Sequence, residues 1–265
     1  MPTDPAALPG FDDAQATLLL QPLYRRAGGR RAATPDVMLR TIADDASNLQ
    51  RLDAFPQGFE AAAIAVVQRH GARIDAELRI DLLALACEAG YDGLAATLLA
   101  ARIAWRDGDR FQCMALAIRS RRPALVGLLL DAGIDVRTRS ACGATLLVQA
   151  IDAGDTGIVQ LLRNAGAVAD PDGQALAAAA VSGDPDLLGM CISDGATSAA
   201  LANALDHAAH AGQYPALVML LQAGAAAEPA LGHAMKRGDA EAADLINGAL
   251  AARLLAAGNI VSQPV

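Results

Sequence analysis

His207 and His210 lie three residues apart, a spacing that on a helix lets two imidazoles reach one metal ion. Asp206 is the nearby carboxylate, but adjacent helix positions face different directions, so it is turned away from the pair. The two histidines therefore read as helix surface rather than as a metal centre. His70 precedes Gly71, a helix-ending glycine, where a basic side chain complements the helix dipole. Cys87, Cys113, Cys142 and Cys191 contain no CxxC pair, so they read as small, reduced, buried hydrophobes rather than as zinc ligands or a disulfide framework. No GxSxG elbow, P-loop, GxGxxG or HExxH is present. Asp107-Gly108-Asp109 and Asp170-Pro171-Asp172-Gly173 are turns without the spaced ligands of a calcium loop. Asp155, Asp184 and Asp239 each follow a glycine, where a carboxylate caps a new helix. No catalytic residue, metal or cofactor is assigned, and the chain reads as a non-enzyme. The competing reading is an enzyme or enzyme subunit with active groups outside the repeats described below, in residues 1–60, which hold no His or Cys.

Charge narrows the partner. Residues 1–139 hold 17 basic and 17 acidic side chains, whereas residues 140–265 hold 4 and 12. The second half would repel a phosphate backbone, which argues against nucleic acid. The local exception is the cluster Arg119, Arg121, Arg122, Arg137 and Arg139, whose guanidinium groups suit bidentate pairing with carboxylates.

The elements that position these residues are set by a repeat. Ala117–Gly133 (AIRSRRPALVGLLLDAG), Ala150–Gly166 (AIDAGDTGIVQLLRNAG), Ala179–Gly195 (AAVSGDPDLLGMCISDG) and Ala208–Gly224 (AAHAGQYPALVMLLQAG) share one pattern. Weaker copies begin at Ala86 and Ala234, so the starting alanines step by 31, 33, 29, 29 and 26 residues. Each unit predicts a helix, a tight turn and a second helix. Gly90, Gly154, Gly183, Gly212 and Gly238 close the first helix in the left-handed region. Pro123 and Pro185 fit the first position of the second helix, and Leu125, Val126, Leu128 and Leu129 give it an apolar face. Gly133, Gly166, Gly195 and Gly224 end it. Alanines supply much of the apolar content and only 3% of residues are aromatic, which suits helices packed closely through small side chains.

Units of this kind resemble ankyrin repeats. Gly143, Thr145, Leu147, Ala150 and Gly154 match the family's G-x-T-P-L-H-x-A-A-x-x-G pattern, with Leu146 and Val148 in place of Pro and His. Leu128-Leu129-Leu130-Asp131-Ala132-Gly133-Ile134-Asp135-Val136 is similar to the family's repeat end. The resemblance implies an all-α solenoid of about six to seven stacked helix-turn-helix units, with short or missing β-hairpin fingers where the step shortens to 29 residues. It places a helical cap and tail in residues 1–54, the array in 55–250 and a C-terminal cap and tail in 251–265.

The resemblance also implies a non-catalytic protein-binding module that meets its partner through the family's concave face of hairpin tips and first helices. Trp105 and Arg106 precede one unit and Arg137 and Arg139 the next; Arg119, Gln149, Asp152, His207, His210 and His233 occupy positions on the same face. Packing, for Trp105, and plain solvation, for the arginines, are the competing readings. An effector or an immunity-type inhibitor fits such a module, acting as a monomer on a protein partner.

At the N-terminus, MPTDPAALPGFDD lacks a signal peptide's basic and apolar regions, and no apolar run is long enough for a membrane span. The expected compartment is the cytoplasm, with non-classical export open. Residues 1–12 read as disordered, 14–26 as a helix interrupted at Pro22, 28–35 as a linker and 36–52 as a helix that folds over the first repeat. A flexible targeting segment is the competing reading. Residues 249–257 read as a final capping helix and 258–265 as frayed.

Overall fold

The computed structural model describes residues 12–27, 29, 32–46, 58–101, 103–106, 108–169 and 172–260. Their regular structure is helical: fifteen α-helices, a 3-10 turn at Gly71–Arg73, and no strand, with only single β-bridge residues at Arg139 and Thr145. None of these helices is long and apolar enough to cross a membrane. The contacts divide the chain into two units, Met1–Gly143 and Ala144–Val265.

The first unit contains α1 (Asp13–Arg26), α2 (Pro35–Ala46), α3 (Phe59–His70), α4 (Ala76–Ala89), α5 (Asp92–Leu99), α6 (Asp109–Arg119) and α7 (Pro123–Asp131). Helices α2, α4 and α6 pack in succession, as do α3, α5 and α7, while α1 lies on α2 and α3. Ala16, Leu20 and Tyr24 are the buried face of α1. Its start is fixed by a capping box between Asp12 and Gln15. Arg69 and His70, at the end of α3, contact Asp13 Oδ1 at 2.8 and 3.0 Å and hold its carboxyl below the usual range.

The second unit contains α8 (Leu146–Ala153), α9 (Thr156–Asn164), α10 (Gln174–Ser182), α11 (Pro185–Ser193), α12 (Ser198–His210), α13 (Tyr214–Gln222), α14 (Glu228–Arg237) and α15 (Ala240–Ile260). Here α8, α10, α12 and α14 pack in succession, and α11, α13 and α15 form the other series.

Small side chains explain the first series in each unit. Ala86, Ala117, Ala150, Ala179, Ala208 and Ala234 all have 0% exposure, so each sits where one first helix of a pair meets its neighbours. In two pairs the following turn is covered by the pair after it. Gly90 adopts φ +76°, and a Cβ there would come within 2.6 Å of Arg122, the residue that precedes α7. Gly183 adopts φ +72° beneath Gln213, the residue that precedes α13. Side chains cap the next helices as the spacing predicts: Asp155 Oδ1 accepts from the Ile158 N–H at 3.0 Å, Asp184 Oδ1 from Asp186 and Leu187, and Asp239 Oδ1 from Ala242.

Several expectations need correction. Helix α1 runs through Pro22, which removes one backbone donor without ending the helix. Helix α2 is described from Pro35 to Ala46, and the rest of the helix expected to residue 52 lies outside the described residues, as does part of the linker at 28–35; of the disordered start expected in residues 1–12, residues 1–11 lie outside them, while Asp12 is ordered as the N-cap of α1. Helix α15 is continuous through Gly248, so the last helix of the repeat and the expected cap at 249–257 are one element, and residues 258–260 remain helical rather than frayed. Residues 261–265 lie outside the described set. Leu128 is only half-buried while Leu125, Val126 and Leu129 are fully buried, because it falls at the edge of the apolar stripe. Cys87, Cys113 and Cys191 are buried as expected, but Cys142 is exposed in the loop before α8.

Replacing Leu129 or Leu162, both 0% exposed, with Ala should cost about 2–5 kcal/mol in urea unfolding, and Leu128→Ala about 1 kcal/mol or less. A Leu129→Ala loss below about 0.5 kcal/mol would show that this face is not a packed core.

Candidate functional site

In the first unit the sequence-selected residues lie on the connections after α5 and α7 and at the end of α6. Trp105 is half-buried, with the Arg110 guanidinium 5.6 Å from its ring centroid, a cation–π arrangement. It lines a cavity of about 320 Å³ with Leu99, Ile103 and Ala132. Packing thus accounts for part of its surface. Arg106 is engaged within the chain: its guanidinium lies 3.0 Å from Glu77, 3.2 Å from Asp109 and 3.9 Å from Asp81. Its backbone N–H also donates to Asp109 Oδ2 at 2.8 Å. Arg119 stands 3.6 Å from Glu88.

The five arginines do not form one patch along the chain. Arg119, Arg121 and Arg122 sit at the turn before α7, whereas Arg137 and Arg139 lie beyond its end, with nine residues of helix between the groups. The connection from α7 to α8 spans residues 132–145 and is the longest between consecutive helices from α3 onward. Trp105 and Arg106 lie in the shorter connection 100–108, and among the described residues neither connection contains a strand. Later connections shorten to 194–197 and 223–227, in keeping with the smaller repeat step.

Alternation presents Arg137. Ile134 and Val136 are buried and Asp135 and Arg137 exposed, so the loop is pinned by its apolar residues while its charges face water. Asp135 Oδ1 accepts from the Arg137 N–H at 2.9 Å and its carbonyl from the Thr138 hydroxyl at 2.6 Å, local bonds that fix the turn. Arg139 Nη1 donates to the Gly143 carbonyl at 2.9 Å. The Arg137 guanidinium forms no ion pair or hydrogen bond among the described residues.

In the second unit Gln149 and Asp152 lie on α8, half-buried and exposed respectively. His207 and His210 are both exposed on α12. Asp206 turns to α14 instead, with Oδ1 2.8 Å from His233 Nδ1 and 3.8 Å from Arg237 Nη1. Among the described residues, no three His, Cys, Asp or Glu side chains are grouped so as to hold a metal ion.

A feature missed in the sequence reading lies between α2, α4 and α6, where a cavity of about 70 Å³ is bounded by Ile80, Leu85 and Leu116 and by Asp81, Glu88 and Gln112. Burial raises the pKa of Asp81, with Arg106 opposing, and of Glu88, with Arg119 opposing. Neither carboxylate accepts a hydrogen bond among the described residues. The available signal was the seven-residue spacing of Asp81 and Glu88, which places two acids on one side of α4.

No protein-family model matches the chain, and no curated protein matches its sequence.

An acid whose pKa is raised by folding weakens the fold while it is ionised, and this penalty disappears as pH falls through the raised folded value to below the unfolded one. Asp81→Asn and Glu88→Gln should therefore each raise Tm at neutral pH, by about 1–3 °C, with the gain shrinking through the carboxylate range. Destabilisation at neutral pH would show that attraction to Arg106 and Arg119 outweighs the cost of burial.

Proposed function

We propose that the chain is a non-catalytic, ankyrin-type interaction module that binds a protein partner. In this reading the helix pairs are ankyrin repeats, and the partner is met by first helices and their connections, centred in the first unit on Trp105, Arg137 and Arg139. The observation that carries the reading is the uncommitted guanidinium of Arg137, exposed on the longest of these connections and held there by buried Ile134 and Val136. Arg106 and Arg119 differ, since each already lies beside carboxylates of its own unit.

An arginine on such a loop favours an acidic partner surface, where bidentate hydrogen bonds add geometry to charge. Gln149, Asp152, His207, His210 and His233 are the corresponding first-helix positions of the second unit and are assigned secondary contacts. A cytoplasmic setting accords with the three buried thiols and the exposed one. The protein acts as a monomer in this reading, as an effector or an inhibitor of the immunity type.

Pull-down from the source cell with mass spectrometry identifies the partner, and calorimetry then measures Arg137→Ala/Arg139→Ala. The double variant should weaken the complex by about tenfold or more with Tm unchanged. Unchanged affinity would remove this loop from the interface.

A further inference from the structure

A groove of about 950 Å³ runs between α13 and α15 in the second unit. Val218 and Leu221 from α13, with Leu245, Ala249 and Ala252 from α15, give it an apolar lining. The α15 positions 241, 244, 245, 248, 249 and 252 recur at three- and four-residue steps, so they form one helix face. From Glu241 to Ala252 that face is about 17 Å long, roughly three turns. Gly248, Ala249 and Ala252 fill little of the space beside it, and a Cβ at Gly248 would meet no atom within 4 Å.

The groove's charge is one-sided. Arg253 is its only cationic lining residue, and its guanidinium donates to the carbonyl oxygens of Leu221 and Ala225, which close the end of α13. Glu241 and Asp244 remain exposed and form no ion pair or hydrogen bond among the described residues. The unit around them is acidic, with 12 acidic and 4 basic residues in 144–265.

We propose that this groove docks a basic amphipathic helix of a protein partner, about three turns long. Leucine-like side chains would enter between Val218 and Leu245, and lysine or arginine side chains would pair with Glu241 and Asp244. This surface is separate from the Arg137 loop and does not depend on the role proposed for that loop.

The probe is a fluorescein-labelled synthetic peptide of about four helical turns, with leucines at helical spacing and lysines elsewhere, titrated by anisotropy against the full chain. Saturable binding that Glu241→Gln/Asp244→Asn weakens by about tenfold or more supports the proposal. Ala252→Phe, which fills the groove from an exposed position, should abolish binding, with circular dichroism verifying its fold; should that variant misfold, the charge variant decides alone. The peptide with glutamates in place of lysines should bind about tenfold more weakly or less. Unaltered binding by the charge variant, equal binding of the two peptides, or no saturation below about 100 μM overturns the proposal. Self-association abolished by Ala252→Phe also overturns it, because the groove then holds a second copy. Arg137→Ala/Arg139→Ala should leave peptide affinity unchanged; a loss there would move the peptide to the first unit and overturn this site.

Discussion

Close approach between first helices is the constraint on which the rest of each unit depends. Fully buried alanines occupy the contact positions, Ala86 and Ala117 in the first unit and Ala150, Ala179, Ala208 and Ala234 in the second. A larger side chain at such a position must push the helices apart, since a close-packed interior has no spare volume. Larger aliphatic residues are buried on both helices of a pair, as with Leu82 and Leu83 on α4, Leu125 and Leu129 on α7, and Leu217 and Leu220 on α13. The connections are anchored by a few buried residues of their own, such as Ile134 and Val136 after α7 and Ala225 and Ala227 after α13. They vary from 194–197 to 132–145 without disturbing the helix pairs they join.

The units handle charge differently. In the first, carboxylates and guanidinium groups are matched in number, and α4 and α6 carry an ion-pair group in which Arg106 serves Glu77, Asp81 and Asp109 together. In the second, basic groups are few and several do structural work. Arg163 makes a two-pronged contact with Asp194, 2.7 Å on each side, and Asp194 also accepts from the Ala169 N–H. Arg253 closes helix-end carbonyls. The surplus carboxylates therefore remain at the surface, where water solvates them.

Much of this fold was legible because the relevant signals are local. Glycine at a left-handed position, aspartate after it and proline at a first helical turn each act within a few residues, and the positive φ values at Gly90, Gly154, Gly183, Gly212 and Gly238 follow the spacing. The errors were non-local or depended on context. Pro22 suggested an interruption, but α1 is held by packing through Leu20 and Tyr24 and tolerates the missing donor. Residues 249–257 read as a capping helix of their own, yet they continue α15 without a break. Site chemistry was less legible than the fold. Arginine spacing gave no sign that Arg106 meets Glu77 across 29 residues. Asp206 was set aside as a ligand on local geometry, but its contact with His233 depends on the packing of α12 with α14.

The cover over Gly90 and Gly183 links chain length to registration. Arg122 lies 32 residues beyond Gly90 and Gln213 lies 30 beyond Gly183, and in both cases the covering residue directly precedes the second helix of the next pair. These two turns are therefore sockets filled by the pair that follows, whereas Gly212 and Gly238 are uncovered. Adding residues within the outer connection leaves socket and plug in place. Adding one between the first helix and the plug moves the plug by a residue and uncovers the glycine. At these two turns length variation is thus confined to one edge of the pair, and the outer connection can change its reach while the covered turn keeps its register.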